Sequence, residues 1–173
     1  EELIARHVSG RLKVAPEHTQ DEVLKQMRKP SFSQFGQFKK IFDKVNRQYG
    51  LNQQLIPYFI SSHPGCTEAD MAELAVITKS LHFPLEQVQD FTPTPMTLAT
   101  EMYYTGYHPY TLEKVYTARS KEQKLAQRQF FFWYKPESRR QIMQVLQKMG
   151  RKDLIEKLFG QRGDMNPAPR KRR

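Results

Sequence analysis

Short apolar runs alternate with longer amphipathic stretches along the first hundred residues, and that alternation predicts the elements. Leu12 to Ala15 (L-K-V-A) and Gln87 to Phe91 (Q-V-Q-D-F) have the length and β-branched content of short strands. Leu55 to Ile60 (L-I-P-Y-F-I) is a continuous apolar run of a length suited to a buried strand. Between these lie helical stripes. Val23, Leu24 and Met27 face inward on a short helix that Lys29-Pro30 ends. Phe35, Phe38, Ile41 or Phe42, Val45 and Tyr49 mark a longer one, with Gly50 where a C′ glycine belongs. Met71, Leu74, Ile77 or Thr78, and Leu81 mark a third. Leu3, Ile4 and Val8, followed by Gly10, read as the last turns of a helix, so the chain is expected to start inside an element of something longer.

Capping-box patterns place the helix starts at Thr19/Glu22, Ser31/Gln34, Thr67/Asp70, Ser120/Gln123 and Ser138/Gln141. The resulting order is strand, helix, strand, helix, strand, with crossovers long enough for parallel pairing, which argues for a parallel α/β sheet or barrel. Three strands are few for such a fold, and half a barrel leaves edges unpaired, so missing N-terminal units are expected. From Thr97 to Ala118, Gly106 and Pro109 interrupt a tyrosine-rich stretch (Tyr103, Tyr104, Tyr107, Tyr110, Tyr116) that reads as an irregular connection. Helices then run from Ser120 to about Tyr134, from Ser138 to Gly150 with Ile142, Val145, Leu146 and Met149 inward, and from Asp153 to Phe159. The residues from 161 onward are too poor in apolar side chains to pack and are expected to be a disordered basic tail.

Composition narrows the classes. Hydrophobic residues are 38% of the 173 and the mean hydropathy is −0.73, as in a water-soluble chain, and no apolar run approaches the roughly 18 residues that a membrane span needs. The N-terminus lacks the basic and apolar regions of a signal peptide. A single cysteine, Cys66, excludes an internal disulfide framework and any cysteine-rich metal cluster held by this chain alone, and suggests the cytoplasm. The formal charge of +10 is regional: residues 1–118 carry a net −1 and residues 119–173 a net +11.

Several groups carry candidate chemistry. The turn Ser61-Ser62-His63-Pro64-Gly65 links an apolar strand to a capped helix, a place where parallel α/β folds put ligand sites. It either cradles a ligand through its backbone or is an ordinary close-packed loop. His63 and Cys66 have H-x-x-C spacing, but two ligands do not make a metal site, and a Cys–His catalytic pair rests on spacing alone. Glu17 and His18 end the first strand, on the edge where such folds place chemistry, or face solvent. Phe130 to Tyr134 (F-F-F-W-Y), flanked by Arg128 and Lys135, can stack bases; the plainer reading is a docking face, since five consecutive aromatics cannot share one helix face. Arg170, Lys171, Arg172 and Arg173 resemble a nucleic-acid patch.

The strings V-L-K-Q-M-R-K-P, S-S-H-P-G-C-T-E-A-D and Q-D-F-T-P-T-P-M-T-L-A-T-E-M follow the order seen in tRNA methylthiotransferases, which are radical S-adenosylmethionine enzymes. K-V-A-P-E-H-T, P-Y-F-I-S-S-H-P-G-C-T, D-M-A-E-L-A, V-Q-D-F-T-P-T-P-M-T and Y-Y-T-G resemble more closely the YgiQ family of radical S-adenosylmethionine proteins, over nearly all of residues 1–160. The resemblance implies the C-terminal half of a parallel (β/α) barrel, with three βα units over residues 1–96 and a small helical extension over 97–160. It implies that the parent binds S-adenosylmethionine and a 4Fe–4S cluster, cleaving the former reductively. The family's C-x-x-x-C-x-x-C loop would lie upstream, in an N-terminal part of the same protein, and Cys66 does not replace it. By place on the strand ends, cofactor contacts would fall on Glu17, His18, Ile60, Ser61, Ser62, Thr92 and Pro93, with Ser62 standing where relatives often have glycine. The piece alone would hold neither cofactor stably and would not react. The other reading of the basic third is an RNA-binding or protein-docking module without catalysis, and neither reading involves a membrane.

Overall fold

The computed structural model describes residues 1–83 and 85–160. The chain is α/β, with three strands, β1 (Arg11–Glu17), β2 (Gln54–Ser61) and β3 (Gln87–Asp90), all parallel and in the spatial order of the sequence. Helix α1 (Glu2–His7) precedes β1, α2 (Asp21–Gln26) and α3 (Phe32–Gln48) join β1 to β2, and α4 (Glu68–Ser80) joins β2 to β3. After β3 come α5 (Leu98–Thr105), α6 (Lys121–Arg128), a 3-10 turn (Gln129–Phe132), α7 (Pro136–Lys148) and α8 (Lys152–Phe159). Among the described residues, no helix is long and apolar enough to cross a membrane.

Alternation along the strands sorts the sheet into two unlike faces. Leu12, Val14, Leu55, Phe59 and Val88 pack into the two hydrophobic clusters. Pairing places Leu12 beside Leu55 and Phe59 beside Val88, so these residues share a face, and the helices cover it. The opposite face carries Lys13, Ala15, Ile56, Tyr58, Ile60, Gln87 and Gln89, none of which belongs to either cluster. There Tyr58 donates its hydroxyl hydrogen to Gln89 Oε1 at 2.6 Å across the strand pair.

One cluster joins Ile4, Phe35, Phe42, Val45 and Leu55 under α1 and α3. The larger one joins Phe59 of β2 and Met71, Leu74 and Ala75 of α4 to Phe130, Phe131, Ile142, Leu146 and Leu154. The helices after β3 therefore share a core with the βα units. The aromatic run is part of that core: Phe130 and Phe131 are fully buried and Trp133 nearly so. The run is core rather than an exposed docking face, because residues of α4, α7 and α8 pack around the 3-10 turn that carries it.

Other local expectations needed correction. Thr67/Asp70 and Ser120/Gln123 form reciprocal capping boxes. Thr19 does not cap α2, whose N-cap is Gln20, and the Thr19 hydroxyl is buried without a partner among the described residues. Ser31 accepts from the amide of Ser33 rather than pairing with Gln34, and Asp21 from α2 receives both the Ser31 hydroxyl (2.9 Å) and the Phe32 amide (3.0 Å). Helix α7 starts at Pro136, ahead of Ser138, using proline's pre-set φ at the first turn. The stretch after Thr97 is not irregular throughout: Thr97 caps α5, and Gly106 ends it in the left-handed region, its amide on the Met102 carbonyl at 2.8 Å. The tail with Arg170, Lys171, Arg172 and Arg173 lies outside the described residues.

Candidate functional site

The carboxyl ends of the three strands meet along one edge, and those of β1 and β2 are bent. At β1 the register shifts between Val14 and Glu17, Glu17 takes φ +65°, and the His18 amide donates to the Pro16 carbonyl at 2.8 Å. That is a three-residue γ-turn, which reverses the chain and sends His18 into the protein. At β2 the chain turns through Ser62, with φ +61°. At β3 it leaves through Phe91, Thr92 and Pro93, the Phe91 amide still bonded to the Ser61 carbonyl at 2.8 Å.

The seven residues expected at this edge separate by burial. Ile60 is half-buried, on the face that the helices leave uncovered; Glu17 and Pro93 are half-buried; Thr92 is exposed. The Glu17 carboxylate accepts from Lys29 Nζ at 2.8 Å. His18, Ser61 and Ser62 are fully buried. Ser61 Oγ donates to Asp90 Oδ1 at 2.5 Å. Ser62 Oγ is buried without a hydrogen-bond partner among the described residues.

His18 has a partner that spacing does not reveal. The Gln20 amide donates to His18 Nδ1 at 3.0 Å, so in the neutral ring Nε2 carries the hydrogen, and it points at Cys66 Sγ at 3.5 Å. Burial, reinforced by His63, pushes the His18 pKa down to about 3. Burial first, and Asp70 second, push the Cys66 thiol well above its ordinary value. The pair is a neutral thiol and a neutral imidazole, the opposite of an activated nucleophile. His63, its pKa lowered chiefly by burial, uses Nδ1 to donate to the Pro64 carbonyl at 2.8 Å and sits edge-on to Phe91 at 5.0 Å. The side chains of His63 and Cys66 thus have different partners. Among the described residues no group of three or more His, Cys, Asp or Glu side chains is placed to hold a metal.

The turn after β2 is not an open cradle. The Ser62 amide donates to Gln127 Oε1 at 2.8 Å, the Gly65 amide to the Tyr116 carbonyl at 2.8 Å, and the Cys66 amide to the His63 carbonyl at 2.9 Å. Gly65 has φ +87°, and a Cβ there would lie 2.9 Å from Gln26 Cγ, so glycine suits it on both counts. Gln127, fully buried on α6, also donates its amide hydrogen to the Cys66 carbonyl at 2.7 Å. Arg128 is not available to nucleic acid as a free cation: its Nη1 contacts Asp90 Oδ2 at 2.9 Å. Lys135 is exposed but lies over the Phe132 ring at 4.5 Å.

These features define a class: consecutive parallel βα units, covered by helices on one side, with a bent, partly accessible carboxyl edge. Residues 86–163, which take in β3 and the helices after it, match the model of a domain of unknown function, DUF3362. A UPF0313 protein of Bacteroides thetaiotaomicron is 71% identical over 161 residues, covering 93% of this chain and 26% of the relative. A UPF0313 protein of Porphyromonas gingivalis is 69% identical over 159 residues (92% and 25%), and one of Methanocella arvoryzae 45% identical over 153 (88% and 26%). These relatives are UPF0313 proteins, the YgiQ family, and the chain matches their C-terminal portion. It spans about a quarter of the length of these relatives. No solved structure matches.

Proposed function

We propose that this chain is the C-terminal part of a radical S-adenosylmethionine iron–sulfur enzyme and supplies the adenosine side of its cofactor pocket. One observation carries the reading: the strands follow in sequence order with every covering helix on one face. A closed (β/α) barrel has that arrangement, and the opposite, uncovered face is the one that lines a barrel's interior. Parallel sheets are ordinarily buried on both sides. The uncovered face here is a mixed one: Ile56 is buried on it, while the half-buried Tyr58 and Ile60 stand with Lys13, Gln87 and Gln89, as suits a wall that meets a polar ligand.

The residues fit an adenosine in part. Ile60 and Pro93 offer an apolar wall for a purine, Glu17 a carboxylate acceptor for ribose hydroxyls, and Thr92 a hydroxyl at the rim. Ser61, Ser62 and His18 do not fit as direct contacts, because they are buried and Ser61 and His18 are bonded within the protein. Those three shape the edge from behind. When bound, the cofactor and a 4Fe–4S cluster supply radical chemistry, and the cluster's cysteines would come from elsewhere in the longer protein. The RNA-binding alternative keeps the basic charge of residues 119–173 but loses two supports, since the aromatic run is core and Arg128 is paired.

The test is anaerobic iron–sulfur reconstitution of the full-length protein that contains this chain, followed by reduction with S-adenosylmethionine present. The reading predicts a cluster absorbance band and formation of 5′-deoxyadenosine. A protein that takes up no cluster, or that leaves the cofactor intact and unbound, overturns it.

A further inference from the structure

We infer that the helical segment after β3 is a brace for the strand-end site, with Gln127 and Arg128 its positioning residues. The inference deepens the proposed reading and rests on it for the identity of the ligand, but the brace itself stands on the contacts alone.

Two consecutive residues of α6 engage the ends of two different strands. Gln127 reaches back to the turn after β2, accepting from the Ser62 amide and donating to the Cys66 carbonyl. One side chain thus spans both ends of the Ser62–Cys66 turn. Arg128 holds Asp90 at the end of β3, and Asp90 in turn receives the Ser61 hydroxyl, which locks the β2 and β3 ends to each other. A third tie comes from just before α6, where the Tyr116 carbonyl takes the Gly65 amide.

The turn needs such ties. Ser62 is a non-glycine residue at φ +61°, a conformation that persists only where surroundings hold it. Its amide points away from any strand ladder, and without Gln127 it is a buried orphan donor. Gln127 itself is fully buried in a segment otherwise rich in charge, and both ends of its amide are used. The segment's aromatic core fixes α6 against α4, so the brace is anchored to the helix that the turn feeds. Ile60 and Phe91, immediately beside the braced residues, present the accessible part of the edge. The site is therefore built from two layers: accessible residues on the strand ends, and a buried amide and ion pair behind them.

The experiment uses the full-length protein with Gln127→Met, which keeps length but neither hydrogen bond, and with Arg128→Met and Arg128→Lys on the half-exposed guanidinium. Hydrogen exchange followed by mass spectrometry reads the brace. In Gln127→Met the amides of 61–66 exchange at least about tenfold faster, while those of β1 keep their protection. Binding reads its purpose. Arg128→Met weakens S-adenosylmethionine binding about fivefold or more with kcat little changed, and Arg128→Lys restores most of it, since a cation still faces Asp90. Unchanged exchange at 61–66 in Gln127→Met overturns the brace. Faster exchange with unchanged affinity in Arg128→Met overturns its positioning role. Faster exchange in a protein that binds no S-adenosylmethionine leaves the brace standing and overturns the proposed function instead.

Discussion

The two faces of the small sheet differ more than any other pair of regions in the molecule. On one, Phe59 is wholly buried among α4, α7 and the 3-10 turn. On the other, one residue along the same strand, Ile60 is half-buried and belongs to no cluster. Adjacent residues of one strand thus serve different ends, since successive side chains point to opposite sides. The covered face holds the fold. The other face buries Ile56 but leaves Ile60 and Tyr58 half-buried and outside both clusters.

The sharpest way to break this contrast is to truncate both neighbours. Phe59→Ala should cost about 3–5 kcal/mol in a urea melt, the usual loss for a fully buried aromatic. Ile60→Ala should cost under about 1.5 kcal/mol, since its side chain leaves little cavity. Comparable losses would mean the uncovered face is core after all.

Acid is the second lever, because it acts on the buried groups behind the edge. His18 is neutral when folded, with a pKa of about 3 against 6.5 in the unfolded chain, so in that window the unfolded state binds the proton and the native state does not. Stability attributable to His18 is whole above pH 6.5 and falls toward pH 3, by up to about 1.4 kcal/mol per pH unit. His18→Asn, which keeps an acceptor for the Gln20 amide, should flatten that dependence in melts at several pH values. An unchanged slope would place the pH sensitivity elsewhere.

Smaller still is the brace. Gln127→Met leaves the Ser62 amide and the Cys66 carbonyl without partners and should lower stability by about 1–3 kcal/mol in a denaturant titration. Smallest is Arg151→Gln on the far side. The Arg151 guanidinium joins Glu73 and Asp153 at 2.6 and 2.8 Å but is half-exposed at the surface, so the change should be about 1 kcal/mol or less by the same measurement.

The same contrast explains how far the sequence could be read. Periodicity reports which residues an element buries, so β2, α3 and α4 were legible, as were the caps at Thr67 and Ser120, where the partner sits three residues on. The helix α5 was not, because it is eight residues long and buries only Met102, too little for a stripe. Thr19 does not cap α2, whose N-cap is Gln20, and Ser31 caps α3 through the Ser33 amide without the reciprocal Gln34 bond, giving its hydroxyl hydrogen to Asp21, ten residues away. His18 with Cys66 and Gln127 with Ser62 lie 48 and 65 residues apart, and no spacing rule connects them. The strand ends were legible as a place, but which of their residues face outward was decided by the γ-turn at Glu17 and the φ of Ser62, which the sequence does not display.

The most direct test of the central claim changes only the uncovered face. Ile60→Asp, placed in the full-length reconstituted protein, puts a charge on the wall without touching either cluster, and S-adenosylmethionine binding is titrated beside the parent. The account predicts saturable binding in the parent and at least about tenfold weaker binding in the variant, with cluster absorbance and melting temperature nearly unchanged. Equal affinity in the two proteins would contradict it.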